Sequence, residues 1–362
     1  MFNQNNYFNN LYELMQRDYS YLQDAFIDLK YKNIQSEEAS KLSSQIENWI
    51  NIKYLDLNLF CNYIKKQGAA ELGCALSKCQ NLQKLKLSLY NNYLQDEGAY
   101  NLISPLKACL NLVFLDIDLT DNQIGPAGCL SLGLSLSKLE SLLDLNLNLS
   151  SNSIGDEGAQ NLLSNSDNFQ SLKSLNLQIL NCKIGVSGSQ NLGYSLVKIA
   201  NLEDLTINIS YNNMQSEGLK SLCSSFFNNE QSQIKLSLDA KSINLFNNHE
   251  FDFQSVFSLN FSLKSLSICL FIDSCLNYIN IKNFGLGLSN CKNLSTLSLE
   301  IYNGQDQFEE NDLYSALAQC KSLNHLFISI EQRYGENEFT ENFRQKCLKL
   351  KRLVKLSYYL FE

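Results

Sequence analysis

Proline and histidine are nearly missing, two of each in 362 residues, and there is one tryptophan. So little proline excludes collagen-like and polyproline chains, and sixteen glycines are too few for a flexible linker. His249 and His325 supply little imidazole for acid–base or metal chemistry. Arginine is scarce too, found at Arg17, Arg333, Arg344 and Arg352. Acidic residues outnumber basic ones 37 to 29, for a net charge of −8. That balance speaks against a general binder of nucleic acid or anionic membrane. No stretch approaches the ~18 uninterrupted apolar residues of a membrane span. Met1–Asn10 has no basic region followed by an apolar run, so no signal peptide is expected. The expected setting is cytoplasmic, with the twelve cysteines reduced.

What the sequence does hold is a repeat. The strand-like runs start at Leu55, Leu85, Leu115, Leu145, Leu175 and Leu205, thirty residues apart each time. Each run alternates apolar and polar residues, the period of a half-buried strand. Asn62, Asn92, Asn122, Asn152 and Asn212 follow in the same steps, with Cys182 in the missing place. Glycines recur at Gly68, Gly98, Gly128, Gly158, Gly188 and Gly218, and after each the apolar period turns helical. Upstream, Ala25–Leu29 keeps the register; downstream, strands start near Leu236, Leu266, Leu297, Leu326 and Leu356, at steps of 29 to 31. That makes about twelve units.

A short strand and one helix cannot bury their apolar faces alone, but stacked copies share a core. Units of one handedness give a parallel sheet with right-handed helical crossovers. Strands repeat at about 4.8 Å and packed helices at about 8–10 Å, so an α/β solenoid with a concave sheet and convex helices is expected. Residues 1–24 are expected as a helical cap and 25–362 as the solenoid, regular over 25–227 and irregular over 228–362. The asparagines, with Cys182, read as structural: their amides would satisfy loop N–H and C=O groups that cost ~1–3 kcal/mol each when buried unpaired.

The strings LQKLKLSLYNNYLQDEGA (82–99) and LLDLNLNLSSNSIGDEGA (142–159) resemble leucine-rich repeats of the ribonuclease-inhibitor-like class. That class has L-x-x-L-x-L-x-x-N/C-x-L followed by a helix start. Here two further residues separate the strand from the asparagine, so a longer or bulged strand is expected. The length and the Asn/Gln/Lys/Tyr-rich composition resemble repeat families of ciliated protists. The resemblance implies a horseshoe-shaped binding protein and covers about residues 25–360. Ran GTPase-activating proteins carry similar repeats; what transfers is the glycine turn of the scaffold.

Catalytic constellations are not found. There is no phosphate-binding G-x-x-x-x-G-K-[ST] loop and no kinase H-R-D or D-F-G set. His249-Glu250 lacks the second histidine of a zinc helix, and Asp116, Asp118 and Asp121 lack the glycine and final glutamate of a calcium loop. Neither a cofactor nor a metal is expected. Cys79, Cys109, Cys291 and Cys320 stand where other repeats carry large apolar residues, which reads as buried filling.

A solenoid binds through the outward positions of its sheet. Those named from the alternation are Asp56, Asn58, Lys86, Asp116, Asp118, Asn146, Asn148, Asn176 and Gln178, small, polar and mildly acidic. Irregular loops and aromatics in the last third add Phe271, Tyr302 and Phe327, and Arg344–Lys355 is locally basic. The expected function is a non-catalytic protein–protein interaction scaffold or subunit of a larger assembly. The alternative is a regulator of an enzyme, a GTPase activator or a ribonuclease-inhibitor-like protein.

Overall fold

Within each unit of the chain the alternating runs form strands that pair in parallel with the run one repeat later. The computed structural model of the chain describes residues 6–16, 18–227, 235–240, 263–272, 286–303, 310–332 and 353–360. The chain divides into two compact units: residues 1–184 with 194–204, and residues 185–193 with 205–362.

In the first unit the strands are β1 (Tyr7–Phe8), β2 (Asp24–Asp28), β3 (Tyr54–Asn58), β4 (Lys84–Ser88), β5 (Phe114–Asp118), β6 (Asp144–Asn148) and β7 (Ser174–Gln178). Their order in the sheet is their order in the chain. From β2 to β7 every rung is offset by thirty residues, as in Leu55 opposite Leu85 and Leu85 opposite Leu115. The inward leucines are fully buried. The extra length of the repeat continues the ladder and makes no bulge in it. Leu59 N–H donates to Ser88 O and Cys61 N–H to Tyr90 O, both at 2.8 Å, and Leu89 and Asn91 repeat the pair one unit on.

Among the described residues before β2, the expected helical cap is instead strand β1 and a single turn, α1 (Leu11–Leu14). Tyr7 and Phe8 pair with Phe26 and Ile27, so the first layer is closed by backbone hydrogen bonds. Leu14, Tyr19 and Leu22 are buried there. Phe8 packs edge-on against Tyr19 at 4.7 Å.

After each strand the chain turns through a left-handed residue: Cys61, Asn91, Asp121, Ser151 and Asn181 all have φ between 51° and 56°. A side chain there costs ~1–2 kcal/mol, least for Asn and Asp. The next residue offsets that cost. Asn152 Oδ1 accepts from Asn122 N–H (3.0 Å) and Ile124 N–H (2.9 Å), while its Nδ2 donates to the carbonyls of Leu119 and Leu149, both at 2.9 Å. Asn62 and Asn122 bind in the same two directions, so each amide sews its own turn to the one before. Asn92 joins Ile64 N–H to Leu59 O. At Cys182 the thiol donates to Leu149 O (3.2 Å) in place of the amide.

The helices α2 (Ser36–Ile46), α3 (Lys65–Ser77), α4 (Gln95–Ile103), α5 (Pro126–Leu136) and α6 (Gly155–Leu162) cross back over the sheet. Several begin without a side-chain cap because the following repeat supplies one. Lys65, Gln95 and Gly155 N–H donate to the carbonyls of Asn92, Asn122 and Cys182. Asp96, in the first turn of α4, accepts Gly125 N–H at 2.6 Å and so serves the helix after its own. A second side-chain ladder runs along the return loops. Asn51, Asn81 and Asn111 Nδ2 and Ser141 Oγ donate to the carbonyls of Ser20, Ile50, Gln80 and Leu110, 31 residues earlier.

Strand β8 (Asp204–Asn208) lies in the second unit from Leu205 on, followed there by β9 (Lys235–Ala240), β10 (Leu263–Ile272), β11 (Thr296–Asn303), β12 (His325–Gln332) and β13 (Leu353–Leu360), with β9 to β13 again parallel and in chain order. Here β10 to β13 have eight to ten residues, and the register shifts between Leu263 and Ser265 against β9. Leu236, Leu266, Leu297 and Leu326 are buried at the spaced positions. Residues 228–234 and 241–262, where irregularity is expected, and the basic stretch before β13 lie outside the described residues.

Nine cysteines are described as free thiols, and seven of them are buried. Cys79 and Cys109 donate to Ile46 O and Leu76 O, at 3.5 and 3.3 Å. Burial pushes their thiols up, to about 12 for Cys79 and about 11 for Cys109. Since the thiolate is the reactive form, these positions should be inert. Brief treatment of the native protein with N-ethylmaleimide, read by peptide mapping, is expected to label exposed Cys74 and spare Cys79, Cys109 and Cys129. Equal labelling of all four would contradict the stacked core.

Candidate partner-binding face

Strand alternation turns every second side chain of β2 to β7 away from the helices. The register aligns these into three columns across the sheet. The first holds Asp24, Tyr54, Lys84, Phe114, Asp144 and Ser174; the second Phe26, Asp56, Lys86, Asp116, Asn146 and Asn176; the third Asp28, Asn58, Ser88, Asp118, Asn148 and Gln178. The nine polar residues named from the sequence in this region thus share one face. Phe271 and Tyr302 are register partners in β10 and β11, and their side chains lie outside the described residues. Phe327, on β12, is 40% exposed.

The sequence reading overlooked the first column, because it counted outward positions from the first core leucine onward. It thereby missed Tyr54 and Phe114, and with them the aromatic character of the face. Tyr54 stands edge-on to Phe26 at 5.2 Å, and its hydroxyl donates to Asp56 Oδ2 at 3.3 Å. Beyond the strand ends, Phe60 stacks flat on Tyr90 at 4.4 Å and meets Tyr31 edge-on at 5.2 Å. Tyr63 and Tyr93 stack at 5.8 Å. Such pairs contribute ~0.5–1.5 kcal/mol each beyond area burial. The signal was present: Phe60 and Tyr90, like Tyr63 and Tyr93, are thirty residues apart.

Charge on this face is uneven. Lys86 reaches Asp116 at 3.9 Å, and Asn58 Nδ2 donates to Asp28 at 3.1 Å. Asp118 accepts from both the N–H and the hydroxyl of Thr120. Burial raises the Asp116 carboxyl above its usual range; Lys86 pulls the other way, and Asp118 and Asp56 push it further up. Burial, helped by Asp56, pushes the Tyr54 phenol up to about 12. Both groups are thus harder to ionise here than in water, chiefly because they are partly buried. Among the described residues, no group of three or more His, Cys, Asp or Glu side chains is arranged to hold a metal ion. No described helix is long and apolar enough to cross a membrane.

A family model described as Leucine Rich repeat matches residues 111–133, 145–163 and 205–223. The first two of these segments run from strand to helix in the first unit, over β5 to α5 and β6 to α6. No curated protein matches the chain. Among solved structures, a chain of the "Crystal structure of Rad7 and Elc1 complex in yeast" aligns with a TM-score of 0.44 and 14% identity, over 84% of this chain and 75% of that one. A likeness of that degree says nothing further about this chain.

Proposed function

We propose that this chain, which carries leucine-rich repeats, is a non-catalytic interaction subunit that receives a partner protein on the outward face of its sheet. The observation that carries this reading is the unbroken register from β2 to β7, which sets three columns of side chains side by side on a rigid ladder. Rigid presentation lowers the ordering cost of binding. Half-buried aromatics among polar residues supply the anchors that a purely polar face would lack. One strand and one helix per repeat in the first unit support the ribonuclease-inhibitor-like class of repeat. Free buried thiols support a reducing, intracellular setting.

Lysine-directed cross-linking of native extracts, read by mass spectrometry, tests the proposal. Links from Lys84 or Lys86 to another protein are expected. Links found solely on helix lysines such as Lys41 and Lys66 would sink it.

A further inference from the structure

We infer that the face over β2 to β6 docks a basic, extended polypeptide segment, whose lysine or arginine stems lie on the half-buried rings and whose charged heads end at the aspartates. The inference rests on the partner-binding reading above and assigns the partner's chemistry.

Charge complementarity is the first argument. The three columns over β2 to β6 carry Asp24, Asp28, Asp56, Asp116, Asp118 and Asp144 against Lys84 and Lys86, with Lys30 just past β2 pairing with Asp28 at 3.4 Å. Lys86 lies in register between Asp56 and Asp116 and bonds loosely to the latter, at 3.9 Å. The excess of negative charge repels itself across the face, and a cationic visitor relieves that repulsion. Burial is the main cause of the raised Asp116 carboxyl, and Asp118 and Asp56 add to it.

The rings are the second argument. Phe26 with Tyr54, and Phe60 with Tyr90, are half-buried pairs alongside the aspartates. Aromatic faces attract ammonium and guanidinium groups, and they cover the aliphatic stems that lead to them. An uncharged or acidic segment would use the rings and leave the excess of carboxylates over lysines uncompensated. Geometry adds a third point. Asp56 and Asp116 lie two strands apart, roughly 10 Å, the reach of about three residues of extended chain.

The test is fluorescence anisotropy of the full chain with a twelve-residue labelled peptide bearing lysine at every third position between glycine and serine. A glutamate peptide of the same spacing is the control. The lysine peptide is expected to bind and the glutamate peptide not to. The double variant Asp56→Asn/Asp116→Asn should weaken binding about tenfold, and Lys86→Glu should tighten it several-fold, a gain that misfolding cannot mimic. Glu140→Gln/Glu157→Gln, away from the face, should leave it unchanged. Equal binding of the two peptides, or no response to either face variant, would overturn the inference. Competition by spermine matched charge for charge would also overturn it, by reducing the site to a counterion patch. Partner cross-links on Lys84 or Lys86 without lysine-peptide affinity would remove the basic-segment assignment and leave the partner-binding reading standing; cross-links confined to the helices would remove both.

Discussion

Replacing Asn122 with alanine is expected to cost about 3–5 kcal/mol, the removal of one side chain orphaning three buried backbone groups at ~1–3 kcal/mol each. Asn122 is fully buried. Its Oδ1 accepts from Asn92 N–H at 3.0 Å and Leu94 N–H at 3.3 Å, and its Nδ2 donates to Leu89 O at 2.8 Å. Alanine meets none of these needs, and the pocket is too enclosed for ready replacement by water. The carbonyl of Thr120 is less affected, because Asn91 N–H also reaches it. In a stack each unit leans only on its neighbours, so the damage should be local. Urea denaturation should show the loss, and hydrogen exchange should rise first in peptides covering residues 89–124. A loss below about 1 kcal/mol would mean that the amide ladder is not what holds the turns. Cys182→Asn is the converse change. It installs two donors and a stronger acceptor where a thiol now reaches Leu149 O at 3.2 Å, and a gain of about 1 kcal/mol is expected.

The same residues show how far the sequence could be read. Burial of Leu85, Leu115 and Leu145 in register was legible, because a core shared between stacked copies forces identical spacing on the residues that build it. The asparagines were legible for a related reason: a buried amide that bridges two repeats must recur in each. Return-loop residues Asn51, Asn81 and Asn111 recur as faithfully, but they are exposed, where asparagine has no need of a partner and its periodicity invites no question. The left-handed turn residues left no signal. Cys61, Asn91, Asp121, Ser151 and Asn181 have little in common, since the following residue's hydrogen bonds impose the conformation on whatever precedes it. The aromatic side of the outward face was missed for the opposite reason. Tyr54, Lys84 and Phe114 vary from repeat to repeat, as outward positions do when the core places no demand on them. Positions free of the core are where a partner's chemistry is written, and a search for recurrence passes over them.

A sixty-residue rhythm lies beneath the thirty-residue one, and it makes Gly133→Ala the second costly change. The short helices α4 and α6 end at Ile103 and Leu162, and each is followed by a tighter 3₁₀ turn, at Ser104–Ala108 and Ser166–Asn168. Facing those ends, α3 and α5 carry Gly73 and Gly133. A Cβ on Gly133 would strike the carbonyl of Leu162, its carbon 2.9 Å away, and one on Gly73 would lie 2.7 Å from Leu102 O. These obstacles are backbone atoms, so no rotamer change clears them; the two helices would have to separate, undoing contacts along both. Alanine at 133 is expected to cost about 3 kcal/mol, the upper part of the range for overpacking. Gly125 is the internal control. Its φ of −111° suits any residue, and the nearest atoms to an added Cβ are the Asp96 carboxylate oxygens at 3.6 Å. Gly125→Ala should therefore be neutral or stabilising by about 0.5 kcal/mol, through loss of freedom in the unfolded chain. Thermal and urea melts of the two variants, side by side, separate close approach of backbones from the general effect of removing a glycine. If both alanines cost the same, the close packing of α5 against α6 is not what selects glycine at 133.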